Sequence, residues 1–105
     1  MGSIMSVRDF ALLLRGWAES KRRLRVVLKT PTLKLGLFCT AHSADDNGTL
    51  SFALSEFNMF SIFIEDCLCG FSDNLPEDKV CGEVVESGIV ATRRDFELVV
   101  MLLAE

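Results

Sequence analysis

The hydrophobic period of this chain changes once, and that change restricts the folds open to it. Val7, Phe10, Ala11, Leu14, Trp17 and Ala18 recur three and four residues apart, which is one face of a helix, and Leu12 and Leu13 widen the stripe. Ser6 and Asp9, three apart, supply the side-chain oxygens that satisfy free amides at a helix start, so the helix is predicted to begin there and to fray near Ser20. Gly16 costs it about 1 kcal/mol of propensity, so packing against other elements must hold it.

From Leu24 onward the period is two, the signature of strands. Leu24, Val26 and Leu28 alternate with Arg25, Val27 and Lys29, and Thr30-Pro31-Thr32 breaks the run because proline lacks a ladder donor. Leu33, Leu35, Leu37 and Cys39 resume it. Ser43 to Gly48 is a loop, with Asn47-Gly48 suited to positive φ, and Leu50, Phe52 and Leu54 share one face of the strand that follows, which predicts a hairpin. In the next strand Phe60, Ile62 and Ile64 share a face. Asp66 would fall inward, so a bulge or strand end is expected at Glu65-Asp66. Residues 72–78 read as a loop with a short helical turn after Pro76. Val80 to Thr92 is β with a turn or bulge at Ser87-Gly88, and Arg93 to Asp95 is the last polar break. The final strand, Phe96 to Leu103, is apolar on both faces and must be central or interfacial.

The expected fold is therefore α+β and one domain over residues 1–105. It has a disordered start (1–5), a helix (6–20) and an antiparallel, strongly bent sheet or small open barrel of five to six strands (22–104). A chain of 105 residues, half of them apolar, is long enough for one sizeable core. No apolar run reaches the ~18 residues of a membrane span, and no signal-peptide pattern is visible, so the expected location is the cytoplasm, with no membrane partner. The opening Met-Gly-Ser-Ile-Met-Ser fits a myristoylation pattern through Gly2 and Ser6, but an unstructured start accounts for it more simply.

Cys39, Cys67, Cys69 and Cys81 read as free, buried thiols in a reducing compartment. Cys67-Leu-Cys69 lacks the C-x-x-C spacing of zinc knuckles and has no matching pair, so neither metal nor cofactor is expected. Catalysis is not expected either. His42 is the only histidine, there is no tyrosine, and Cys39, three residues before His42, points to the other face of a strand. Asp45 to Gly48 is turn chemistry without the ligand spacing of a calcium loop.

Charge is divided unevenly. Residues 1–35 carry eight basic side chains against Asp9 and Glu19, a net +6, and the remaining residues carry three basic against thirteen acidic, a net −10. The halves can attract each other within one fold or between copies. Lys21, Arg22, Arg23 and Arg25 form the one cluster suited to an anionic partner, yet only Trp17 lies near as a stacking platform, and basic residues suit a helix C-terminus for dipole reasons alone.

A helix followed by about five bent antiparallel strands resembles the Sm-like small barrel, related in shape to SH3-type barrels. Of that family's aspartate–asparagine motif, Leu54-Ser-Glu-Phe-Asn58 keeps Asn58 and has Leu54 at the aspartate position. Of its basic–glycine motif, Val85-Glu-Ser-Gly88-Ile89-Val90 keeps Gly88 and has Ser87 at the basic position. The resemblance implies the fold and assembly more than RNA binding. Three functions follow in order: a non-enzymatic protein-interaction or assembly module, an RNA-binding Sm-like ring, and a small-ligand-binding barrel. The expected partner is a second copy, as a dimer rather than a ring, through Phe96, Leu98, Val100 and Leu102.

Overall fold

The computed structural model describes residues 4–72, 79–80 and 82–104. Its helix, α1 (Val7–Glu19), begins at Ser6, whose hydroxyl accepts the Asp9 amide at 3.0 Å. It does not fray at Ser20. The Arg22 amide donates to the Trp17 carbonyl (3.1 Å) and the Lys21 amide to the Ala18 carbonyl (3.2 Å), with Lys21 at φ 53°. Glycine usually fills that left-handed position, and a lysine there costs about 1 kcal/mol.

The strands among the described residues are β1 (Ile4–Met5), β2 (Arg23–Lys29), β3 (Lys34–Ala44), β4 (Thr49–Ala53), β5 (Met59–Phe63), β6 (Leu68–Phe71), β7 (Lys79–Val80), β8 (Glu83–Arg93) and β9 (Phe96–Leu103). Eight lie in one open antiparallel sheet ordered β1-β6-β8-β9-β2-β3-β4-β5, and β7 pairs only with β8. The eight strands of this sheet exceed the expected five to six for two local reasons. Ile4 and Met5, read as part of a loose start, pair with Gly70 and Cys69, a ladder too short to carry a period. The stretch after Met59 ends at Phe63 and turns, with the Cys67 amide on the Ile64 carbonyl (2.9 Å), before β6 begins. The helical turn expected after Pro76 lies outside the described residues, as does Cys81.

Two bulges adjust the ladders. Ala41 faces Phe52 and Ser43 faces Ser51, leaving His42 as the extra, exposed residue of β3. Val85 faces Leu103 and Ser87 faces Leu102, so Glu86 is the extra residue of β8.

The core joins Phe10, Ala11 and Leu14 of α1 to Leu24, Val26, Leu50, Phe52, Ile64, Ile89, Leu98 and Val100, all at most 2 % exposed. Trp17 and Leu13 pack against it half-buried, whereas Leu12 stays exposed. Side-chain size along β3 fits this arrangement. Its inward residues are Leu35 and Leu37 in the first half and Cys39, Ala41 and Ala44 in the second, where small side chains allow close approach of a helix. A helix of 13 residues is about 20 Å long, while an 11-residue strand runs about 36 Å. One helix therefore leaves part of the inner face of the sheet uncovered.

Gly48 ties the β3–β4 turn to the rest. Its amide donates to the Asp45 carbonyl (2.9 Å), its carbonyl accepts the Ile64 amide (2.9 Å), and its φ is 96°. A Cβ there would lie 2.9 Å from the Glu65 nitrogen and 3.1 Å from a Val7 methyl, so only glycine lets the turn, the end of β5 and the helix start meet.

Candidate interaction surface

The uncovered part of the inner face is an apolar groove of about 400 Å³. Val26, Leu28, Leu35, Leu37, Leu54, Phe60 and Ile62 form its walls, with Ser61 at its margin. No charged residue lines it. Phe60 stacks on Phe52 at 5.2 Å between ring centroids, which fixes one wall. Leu54, expected inward with Leu50 and Phe52, lies past the end of β4 and stands at the groove's exposed rim.

Beside the groove runs β5, paired to β4 on one side and to nothing described on the other. The Ile64 amide bonds to the Gly48 carbonyl and the Leu54 amide to the Asn58 carbonyl (2.8 Å), so the even-numbered residues of β5 exchange hydrogen bonds with β4. The backbone N–H and C=O groups of Met59, Ser61 and Phe63 therefore face the open side. The Ser51 and Ser61 hydroxyls, 3.1 Å apart, occupy one of the close, non-hydrogen-bonded positions that this phase requires. Open edges are normally blunted by charge, proline or a bulge. This one has none of these: residues 57–64 are uncharged, the β4–β5 register is regular, and Phe57, Met59 and Phe63 are 90 %, 56 % and 61 % exposed. The opposite edge of the sheet, β1, is only two residues long.

The residues singled out from sequence lie elsewhere. Phe96, Leu98, Val100 and Leu102 were expected to carry self-association, but β9 has β2 on one side and β8 on the other. Leu98, Val100 and Leu102 face the core. The outer face is covered only toward its end, where Met101 and Leu103 are buried, with Arg25 and Gly88 across the ladders from Met101 and Val85 across from Leu103, while Glu97 and Val99 line a cavity of about 300 Å³. A strand apolar on both faces is here a central strand, and it offers no edge to a second copy.

Lys21, Arg22 and Arg23 stand together around one cavity with Leu103 and Ala104, and the arginines of the cluster are engaged. Arg22 donates to Glu86 Oε2 (2.6 Å) and to the Leu103 carbonyl (2.9 Å), and Arg23 to Glu83 Oε1 (3.0 Å). Arg25 lies on the Phe38 ring at 4.6 Å in space left by Gly36, where a Cβ would collide with the guanidinium, and Lys21 is exposed at the helix end. Arg8 and Arg15 both reach Asp46, Arg15 Nε also donates to the Ala44 carbonyl (2.6 Å), and Lys29 lies 3.6 Å from Glu97. Each of these ion pairs joins the basic first third of the chain to its acidic remainder, so part of the charge division is neutralised within one molecule. Glu86, which pairs with Arg22, stands at the β8 bulge.

None of the three described cysteines carries an activated thiol. Burial pushes the Cys39 thiol up to about 12, burial and then the neighbouring Cys67 push Cys69 up to about 11, and burial raises Cys67 despite the nearby Arg93. All three are free and buried. No three His, Cys, Asp or Glu side chains among the described residues are grouped to hold a metal ion. No helix among the described residues is long and apolar enough to cross a membrane. Asn58 and Gly88, the retained positions of the Sm-like motifs, stand at the β4–β5 turn and on β8, with β9, β2 and β3 between β8 and β4 in the sheet order.

Compared with protein families, curated proteins and solved structures, the chain matches none of them.

Proposed function

We propose that this protein is a non-enzymatic interaction module that binds another polypeptide by adding a strand to β5. The observation that carries this reading is the uncharged, regular, exposed edge of Met59–Phe63 beside an apolar groove. An added strand gains main-chain hydrogen bonds from the edge, and the apolar walls next to it select alternate side chains. Among the described residues, the protonated, buried thiols and the exposed His42 offer no activated nucleophile to support an enzymatic reading. The pairing of Arg22 and Arg23 with β8 carboxylates weighs against nucleic acid as the main partner. The bent antiparallel sheet is compatible with a small-barrel fold, and we read the Sm-like resemblance as one of architecture and assembly.

The test uses a short peptide of alternating valine and threonine with lysine at each end, followed by amide exchange and chemical shift. Protection should appear at the Met59, Ser61 and Phe63 amides, while Phe60 and Ile62, already bonded to β4, keep the protection they have. Binding that leaves the odd-numbered amides unprotected, or a monomeric chain whose odd-numbered amides stay unprotected with every such peptide, rules the reading out.

A further inference from the structure

We infer that the strand added to β5 is β5 of a second copy, antiparallel, with a two-fold axis through Ser61. This rests on the strand-addition reading and goes beyond it by naming the occupant and the register. The argument begins with the residue pattern of the edge. Met59-Phe60-Ser61-Ile62-Phe63 reads the same in both directions by chemical type, with two large apolar residues on each side of one serine. Reversal about Ser61 sets Met59 against the copy's Phe63, Ser61 against itself, and Phe60 against the copy's Ile62, so every side chain meets one of its own kind. The hydrogen-bond phase agrees. Met59, Ser61 and Phe63 present their N–H and C=O groups outward, and a two-fold axis at one of these residues creates a hydrogen-bonded pair at the centre of the new ladder. Such an interface is isologous and closes at two copies.

Area and charge set its strength. With Phe57, Met59 and Phe63 exposed as they are, each copy offers roughly 400 Å² of apolar side chain. The pair would hide at most roughly 800 Å² before the backbone is counted, below the roughly 1,200 Å² of a stable specific interface and in the range of a weak, reversible one. The ends of the edge are acidic. Glu56 lies before β5 and Glu65 and Asp66 after it, so the Ser61-centred register brings Glu56 toward the copy's Asp66 on both sides. Repulsion there makes the dimer reversible, and added salt strengthens it.

Sedimentation equilibrium of the full chain is the decisive measurement. The wild type should dimerise in the micromolar range, with severalfold tighter association from low to physiological salt. Ser61→Pro removes the central donor, and Phe63→Lys puts a charge on the edge opposite Met59. Either should yield a monomer with an unchanged circular-dichroism melt at low concentration. Should the proline variant fail to fold, Phe63→Lys decides alone. Glu56→Lys turns both repulsive pairs attractive and should tighten the dimer severalfold. A wild-type monomer up to roughly 100 µM overturns the inference. So does a folded Phe63→Lys that still dimerises, or a Glu56→Lys with unchanged or weaker association. A monomeric wild type whose Met59, Ser61 and Phe63 amides are protected by the valine–threonine peptide overturns the second copy alone and leaves strand addition standing. A monomer that ignores the peptide overturns both.

Discussion

The strands β9 and β5 are built from similar residues and have opposite surroundings. Each is mostly large and apolar, and each has apolar side chains on both faces. β9 lies between β2 and β8, with Leu98 and Val100 fully buried, whereas β5 has one neighbour among the described residues and leaves Met59 and Phe63 more than half exposed. The difference teaches that burial here follows from pairing. A strand with two partners has both edges closed and its inner face in the core, and a strand with one partner keeps an edge and a face open whatever its composition.

The largest expected effect comes from placing a charge in the buried member of the pair. Val100→Glu sets a carboxylate at a fully buried position with no cationic partner and should cost about 3–5 kcal/mol or more. That is a large fraction of the stability of a domain this size, so the variant should be unfolded or nearly so by circular dichroism. A folded Val100→Glu with a near-normal melt would break the comparison.

The covered half of the sheet should also be sensitive to alkali. Cys39 is raised from an ordinary value of 9.0 to about 12, and Cys69 to about 11. A thiol whose pKa is higher in the folded state contributes its full stabilisation below pH 9, and that contribution is lost as pH rises through the folded value. Stability should therefore fall between pH 9 and 12, and Cys39→Ala should flatten the decline in a urea-midpoint series. An identical slope in wild type and variant would show that Cys39 is not the group responsible.

A smaller effect separates the fixed end of β5 from its open edge. Gly48→Ala strains a left-handed residue and presses a methyl on the Glu65 backbone, costing about 2 kcal/mol. Hydrogen exchange should accelerate at Ile64, whose amide bonds to Gly48, before it does in β9. Uniform acceleration across both strands would mean that they open as one unit. At the other end of the helix, Lys21→Gly relieves a left-handed lysine and should stabilise by about 1 kcal/mol, read as a raised melting temperature. The smallest expected effect is at the edge itself. Phe63→Glu should change monomer stability by less than about 0.5 kcal/mol, against the unfolding expected from the same change at Val100.

Much of this fold was legible in the sequence because it is local. The Ser6 cap, the Phe10–Leu14 stripe, the β3–β4 turn at Asn47-Gly48 and the strand end at Glu65-Asp66 each depend on side chains within a few residues of one another, so period and turn chemistry specify them. Ile4–Met5 and the closing bonds of the helix at Lys21 escaped notice, since two residues carry no period and lysine does not announce a left-handed site. The charge division was visible, but not whether it would be neutralised inside one chain. One of its ion pairs, for example, joins Arg22 to Glu86 across 64 residues, at a bulge. The candidate site was missed for a related reason. Residues 57–64 and 98–104 are both uncharged, and composition alone drew attention to the second. By itself, then, the sequence determined the helix, the longer strands and most of the side chains that share a face within them, because those are properties of neighbours along the chain. Only the tertiary structure decided which apolar strand is central and which is an edge, because that depends on the order in which distant strands pair.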